Sequence, residues 1–251
     1  MKVIFVGAGP GDPELLTVKA ERLLRGARCC IYAGSLVAET IVGLLPPDAE
    51  RHDSASLSLD QIVEIIKSAR DRGLDVVRLH SGDPSIYGAI GEQMARLDEL
   101  GIAYEVVPGV SSFQAAAAAL KIELTVPEVS QTIVLTRRAG RTPLPEHQEL
   151  ERIARTRATL CIFLSIHKID EIAEVLAGSY GEDAPAAVVF HASRPDQLLI
   201  RGTLKDIARK TRASEITKTA LVIVGNAVAR ADRASRLYDK RFTHGYREAE
   251  T

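Results

Sequence analysis

Neither sign of charge prevails in this sequence. Lys and Arg total 32 against 33 Asp and Glu, a formal net charge of −1 over 251 residues, so no global field draws the chain toward nucleic acid or a membrane surface. Long apolar runs are missing, and with them any candidate membrane span. The N-terminus lacks the basic, apolar and small-residue order of a signal peptide, because Lys2-Val3-Ile4-Phe5-Val6 leads straight into glycines. Cysteine is scarce. Cys29 and Cys30 are adjacent in a strand-like run, a poor geometry for an ordinary disulfide, and Cys161 stands alone. With no Cys-x-x-Cys pair, reduced thiols in a cytoplasmic core are expected. The histidines, at 52, 80, 147, 167, 191 and 244, form no pair with one another or with cysteine at ligand spacing, so no metal is expected. The arginine-rich tail from Arg230, with Tyr238, Phe242 and Tyr246, is too mixed with acids to suggest nucleic acid.

What is present is a large apolar fraction, 46% hydrophobic residues, enough for one large core or two compact ones. Short apolar runs alternate with helical patterns. Val3 to Val6, Arg28 to Ala33, Val76 to His80 and Tyr104 to Val107 read as strands, while residues 48–57 read as polar and irregular. Helical spacing follows Leu15, recurs over Leu59 to Ala69, and runs from Ile86 to Leu100. This alternation predicts an α/β fold whose first sheet is mainly parallel. Thr125-Val126-Pro127-Glu128 marks a boundary, giving domains 1–124 and 125–251. The hairpin-like run at 198–203 makes the second sheet mixed.

The chemistry is expected at strand ends, where ligands of open α/β sheets bind. After the strand at Val76 comes Ser81-Gly82-Asp83-Pro84. Gly82 admits close approach of another molecule, Asp83 suits a helix cap or a cationic ligand group, and Pro84 suits a first helical turn. Gly7-Ala8-Gly9-Pro10-Gly11-Asp12 follows the first strand. It fails as a dinucleotide fingerprint, since Asp12 replaces the third glycine and the next strand ends in Tyr32-Ala33-Gly34 without an acid. No P-loop is present. Ser111 is no nucleophile elbow, because Phe113 occupies the required glycine position. Arg137, Arg138 and Arg141 form a basic loop suited to carboxylates or phosphates.

Two long patterns carry a resemblance. Val6 to Gly11 with Leu15 to Ala20, and Val76 to Gly88 reaching on to Pro108-Gly109, resemble the two signatures of the tetrapyrrole methylases. Tyr32 to Val37, His80 to Gly88, Val126 to Thr132 and Leu237-Tyr238-Asp239 resemble one branch of that family, the precorrin-4 C(11)-methyltransferases of cobalamin synthesis. Many relatives read Gly-Gly-Asp where this chain has Ser81-Gly82-Asp83.

The resemblance implies two α/β domains with S-adenosylmethionine in a cleft between them. It places Pro10, Gly82, Asp83, Ile86, Tyr87, Ser111 and Ser112 at the cofactor, with Leu164, Ala187 and Ala220 at adenosine-contact positions. Asp12 is expected to face pyrrole N–H groups, and Arg137, Arg138 and Arg141 the substrate carboxylates. The resemblance implies a small tetrapyrrole as partner rather than nucleic acid, and a homodimer, while the cysteine pattern makes the expected location cytoplasmic. Methyl transfer from a sulfonium to an electron-rich carbon needs alignment and water exclusion more than a strong base, and no triad is expected. The alternatives are other regiochemistry, an RNA or protein methyltransferase of this fold, and a nicotinamide oxidoreductase. The glycine loop has the spacing that common methyltransferases use for the cofactor. It lacks their acids, so it is expected to face the tetrapyrrole, with adenosine against Gly82, Ser111 and Ser112.

Overall fold

The computed structural model describes residues 1–140, 142–229, 240–243 and 245–248. Arg141, His244 and the Leu237-Tyr238-Asp239 stretch lie outside the described residues, as does the start of the tail at Arg230. The chain divides into two compact units. The first is Met1–Ala116 with His191–Gln197, and the second is Ala117–Phe190 with the described residues from Leu198 onward. The sequence suggests a break at 124/125, whereas this division falls at Ala116, inside a helix.

The first unit contains β1 (Lys2–Gly7), α1 (Val18–Arg25), β2 (Cys29–Tyr32), α2 (Glu39–Val42), β3 (Glu50–Asp53), α3 (Leu59–Asp71), β4 (Val76–His80), α4 (Ile90–Glu99), β5 (Ala103–Val107) and the start of α5 (Ser112–Leu120). The five strands are ordered β3-β2-β4-β1-β5, and every pairing is parallel. Alternation of side chains feeds two cores. Ile4, Val6, Cys30, Val77 and Leu79 pack with Leu24 and Ile41, while Val3, Phe5, Ile31 and Val76 pack with Ile62, Ile66 and Leu97. Each such buried side chain contributes about 1.5–3 kcal/mol. Thr17 caps α1 by accepting from Ala20 N–H. Asp12 caps the short 3-10 turn over Pro13–Leu15 that precedes α1.

Two expectations are corrected. Glu50–Asp53 forms a strand where an irregular segment is expected. Its residues Glu-Arg-His-Asp have little strand propensity, but it pairs with β2 at the sheet edge, where charge is common. Helix α4 starts at Ile90, not Ile86. Tyr87 (φ 54°) and Ala89 (φ 49°) are left-handed, which ends any continuous helix through them.

The second unit carries β6 (Ile133–Arg137), α6 (Leu150–Ile153), β7 (Thr159–Phe163), α7 (Ile169–Tyr180), β8 (Pro185–Phe190), β9 (Leu198–Thr203), α8 (Ile207–Arg212) and β10 (Ala220–Val224). Its order is β6-β7-β10-β8-β9. The β6–β7 pair is parallel and the other three pairs are antiparallel, so the sheet is mixed as expected. Leu160, Ile162, Val188 and Val222 bury against Ile169, Ile172, Leu176 and Ile207.

In the first sheet Gly7 stands opposite His80, and Val6 opposite Val107. Three strands therefore end side by side, and their turns crowd. A Cβ on Gly109 would lie 2.2 Å from the Gly82 carbonyl oxygen, and one on Gly7 would lie 2.7 Å from the same atom. Gly109→Ala should destabilise the protein by about 1–3 kcal/mol through overpacking. Urea denaturation reads this directly, and an unmoved midpoint would show that the turns are not in van der Waals contact.

Candidate functional site

The turns after β1, β4 and β5 are tied by backbone. Gly9 N–H donates to Gly82 O at 3.2 Å, and Gly82 N–H returns to Gly9 O at 2.8 Å. Ala8 N–H donates to His80 O at 2.7 Å. Gly82 holds φ 63°, a conformation that any side chain would strain. Asp83 then joins the third turn. Its Oδ2 accepts from Gly109 N–H at 2.9 Å, and its Oδ1 accepts from Ser85 N–H at 2.8 Å and from the Ser85 hydroxyl. Burial raises the Asp83 pKa, but the Ser85 hydroxyl and the Gly109 and Ser85 N–H groups outweigh it, so the carboxyl lies below the ordinary aspartate value. The expected caps are thus corrected. Asp83 does not cap α4, and Pro84 does not begin it; the carboxylate locks the turn itself.

Around this junction lie the residues expected at the cofactor. Gly82 and Ser111 are buried, Pro10, Asp83, Ile86 and Ser112 are half-buried, and Tyr87 is exposed. Ser111 opens α5, with its N–H donating to Gln114 Oε1 at 2.9 Å. Asp12 is half-buried and accepts from Glu14 N–H through Oδ1.

Beneath the β4 turn sits a buried polar relay that the sequence reading missed. Arg78 Nε donates to Gln93 Oε1 at 3.0 Å, Arg78 Nη1 donates to Ile31 O at 3.3 Å, and Gln93 Nε2 donates to Ala89 O at 3.1 Å. The relay joins β4 to the start of α4. Its signal was available, since Arg78 and His80 fall on one face of a strand by the period of two. Burial pulls the Arg78 pKa down to about 10. Burial, helped by the Arg78 charge, pulls His80 down to about 3, which leaves the imidazole neutral at physiological pH.

Within the second unit, Leu164 is 61% exposed and its backbone is left-handed at φ 54°. A large apolar side chain held out at a strand end in a costly conformation is a feature of ligand sites. Ala220 is half-buried. Ala187 has no accessible surface in this structure. The basic loop is engaged internally. Arg138 donates to Glu171 Oε1 at 2.6 Å and to Glu151 at 2.6 Å, so its charge is already met by two acids. Arg137 donates to Thr142 O and Pro143 O, holding its own loop.

Ligand-type atoms of Cys29, Glu50 and His52 lie within 4.8 Å of one another, a grouping across β2 and β3 that spacing along the chain conceals. Both Glu50 oxygens, however, take the Arg72 guanidinium. Burial and the Glu50 charge push the Cys29 thiol up to about 11, and the cluster is accounted for as an ion pair over a buried thiol.

Asp83→Asn replaces one acceptor oxygen with a donor, so an N–H of the junction loses its partner. The expected cost is about 1–3 kcal/mol. Because the folded pKa is depressed, the wild-type advantage should be complete above the unfolded carboxylate value and should fade as pH falls through the folded one. Paired urea titrations from pH 7 down to pH 3 check this, and a pH-independent difference would refute it.

Comparison with known proteins follows from this geometry. Residues 2–208 match the family described as Tetrapyrrole (Corrin/Porphyrin) Methylases. The chain is 50% identical over 250 residues to the cobalt-precorrin-4 C(11)-methyltransferase of Methanocaldococcus jannaschii, covering 99% of this chain and 96% of that protein. It is 50% identical over 257 residues to the precorrin-4 C(11)-methyltransferase of Pseudomonas aeruginosa, covering 100% of both. The structure of a cobalamin biosynthetic enzyme, a cobalt precorrin-4 methyltransferase, is similar with a TM-score of 0.88 and 41% identity, covering 90% of this chain and 95% of that one. The uroporphyrin-III C-methyl transferase of Thermus thermophilus, complexed with S-adenyl homocysteine, is similar with a TM-score of 0.77 and 31% identity, covering 91% and 94%. A parallel sheet with fused strand-end turns, a mixed second sheet and a family match over most of the length lead to one conclusion: the chain belongs to the tetrapyrrole methylases.

Proposed function

We propose that the chain is an S-adenosylmethionine-dependent C-methyltransferase of cobalamin synthesis, acting on precorrin-4 or cobalt-precorrin-4 at ring carbon 11. The observation that carries this reading is 50% identity along essentially the whole chain to methyltransferases so named from two organisms. A cytoplasmic homodimer belongs to the same reading. Among the described residues, no helix is long and apolar enough to cross a membrane.

When bound, S-adenosylmethionine supplies a methyl group already activated on a sulfonium. The protein's task is then alignment and exclusion of water. In the first unit, the junction of Gly9, Gly82, Asp83 and Gly109 fixes the turns through backbone and one carboxylate, which suits a site that must hold its shape. Gly82, Ile86, Tyr87, Ser111 and Ser112 are proposed to receive the cofactor, with Pro10 at the edge. The carboxylate of Asp83 supports this site by shaping it, since its acceptors are used within the turn. Asp12 is proposed to face the pyrrole N–H groups. In the second unit, Leu164 is proposed as an adenosine contact, supported by its exposed side chain at a strand end with positive φ. Ala220 remains proposed on the resemblance. Arg137 and Arg138 remain proposed as substrate anchors on the resemblance, although Arg138 is ion-paired with Glu151 and Glu171 and Arg137 is bonded to its loop carbonyls. The neutral His80 is buried beneath the turn and is not placed to titrate with the reaction.

Two measurements bear on the reading. Incubation with methyl-labelled S-adenosylmethionine and precorrin-4, with and without cobalt, should yield a singly methylated product. NMR should place the label at carbon 11; methylation at another carbon would reassign the regiochemistry, and no methylated tetrapyrrole at all would refute the function. Leu164→Gly removes an apolar contact worth about 1–2 kcal/mol and relieves the positive φ. Cofactor affinity by calorimetry should fall roughly 5- to 30-fold while the unfolding midpoint holds or rises. An unchanged affinity would remove Leu164 from the site.

A further inference from the structure

The segment His191–Gln197 joins β8 to β9, yet it belongs to the first unit. It is a tight, self-bonded turn. Arg194 N–H donates to His191 O at 2.9 Å, Gln197 N–H to Arg194 O at 3.0 Å, and Ser193 N–H to Gln197 Oε1 at 2.8 Å. His191 Nδ1 lies 2.7 Å from Asp196 Oδ2. Ser193 Oγ accepts from Asp12 N–H at 3.1 Å, which fastens the segment to the glycine loop.

This brings Arg194 across Gly11. A Cβ on Gly11 would stand 2.5 Å from Arg194 Cγ and 2.8 Å from its Nε, so the glycine leaves room for the arginine stem. The guanidinium is half-withdrawn from water. Nη2 donates to Leu36 O, while Nε is buried with no acceptor. Among the described residues no carboxylate lies within ion-pair distance of it; Asp196, two positions on, is bonded to His191 and acts on the guanidinium only by its charge at longer range. A partly desolvated cation without a bonded acid is costly to the unliganded fold. The planar fork matches a carboxylate.

We propose that Arg194 is a carboxylate-binding residue, holding an acidic group of the bound tetrapyrrole beside the glycine loop. The assignment rests on the reading of the chain as a precorrin methyltransferase and adds an anchor whose guanidinium has no bonded acid among the described residues. The methionine tail of the cofactor carries the other carboxylate within the reaction, and the two sources are separable.

The experiment compares wild type with Arg194→Met, which keeps an apolar stem over Gly11, and Arg194→Lys, which keeps the charge without the fork. Uroporphyrin, an octacarboxylate, and its octaamide serve as stable probes, read by the shift of the porphyrin absorbance band. S-adenosylhomocysteine binding is read by calorimetry. Arg194→Met should weaken uroporphyrin binding about tenfold and leave octaamide binding within twofold, and Arg194→Lys should fall between. S-adenosylhomocysteine affinity should stay within twofold. A tenfold loss there with uroporphyrin unmoved would transfer the carboxylate to the cofactor and overturn the tetrapyrrole assignment. Unchanged affinity for both would overturn the proposal outright, as would equal losses for octaacid and octaamide, which mark a merely structural role. Should Arg194→Met not fold, Arg194→Lys carries the comparison with an expected threefold loss for the octaacid alone. Failure of wild type to methylate precorrin-4 would sink the functional reading, while the porphyrin titrations would still report on Arg194.

Discussion

The Gly82 carbonyl oxygen occupies the space that a methyl group on Gly7 or on Gly109 would need. Much of the first unit follows from that crowding. Three parallel strands must end level for their turns to meet, and the register that sets Gly7 beside His80 and Val6 beside Val107 brings this about. The carboxylate of Asp83 then bonds across the gap to Gly109 N–H. A site assembled from backbone in this way has few rotatable bonds to order when a ligand arrives, which favours alignment over flexible capture.

The balance of forces at the site differs from what residue type alone suggests. Asp83 has the right charge to attract a sulfonium, yet its oxygens are spent on the turn. Arg138 has the right charge for a carboxylate, yet Glu151 and Glu171 meet it first. Arg194 has no carboxylate bonded to it among the described residues, and its stem lies on a glycine. Charge at a site is informative only after its internal partners are counted.

The sequence was legible where one rule dominated. Strands β1, β4 and β5 are short runs ended by glycine, proline or polar residues, and they fold as read. Strand β3 was illegible because Glu50 to Asp53 owe their conformation to pairing with β2, a long-range effect that overrides propensity. The start of α4 was misplaced because a run with helical spacing contains two left-handed residues, which no periodicity reveals. The glycine loop and the Gly82 turn stood out in the sequence, since close approach demands glycine. The approach of His191–Gln197 to Gly11 and Asp12 did not, because some 180 positions separate them in the chain. The grouping of Cys29, Glu50 and His52 was hidden for the same reason.

That last-arriving segment bears on how the protein is made. All five strands of the first sheet have been synthesised once Val107 has emerged, but Ser193 and Arg194 have not. Until residue 197 is made, the Asp12 N–H lacks its acceptor and the face of Gly11 is bare. At ordinary translation rates the delay is on the order of ten seconds. The nascent first unit therefore passes through a stage with a complete sheet and an unfinished glycine loop, which gains its last contacts only after most of the second unit has also been made.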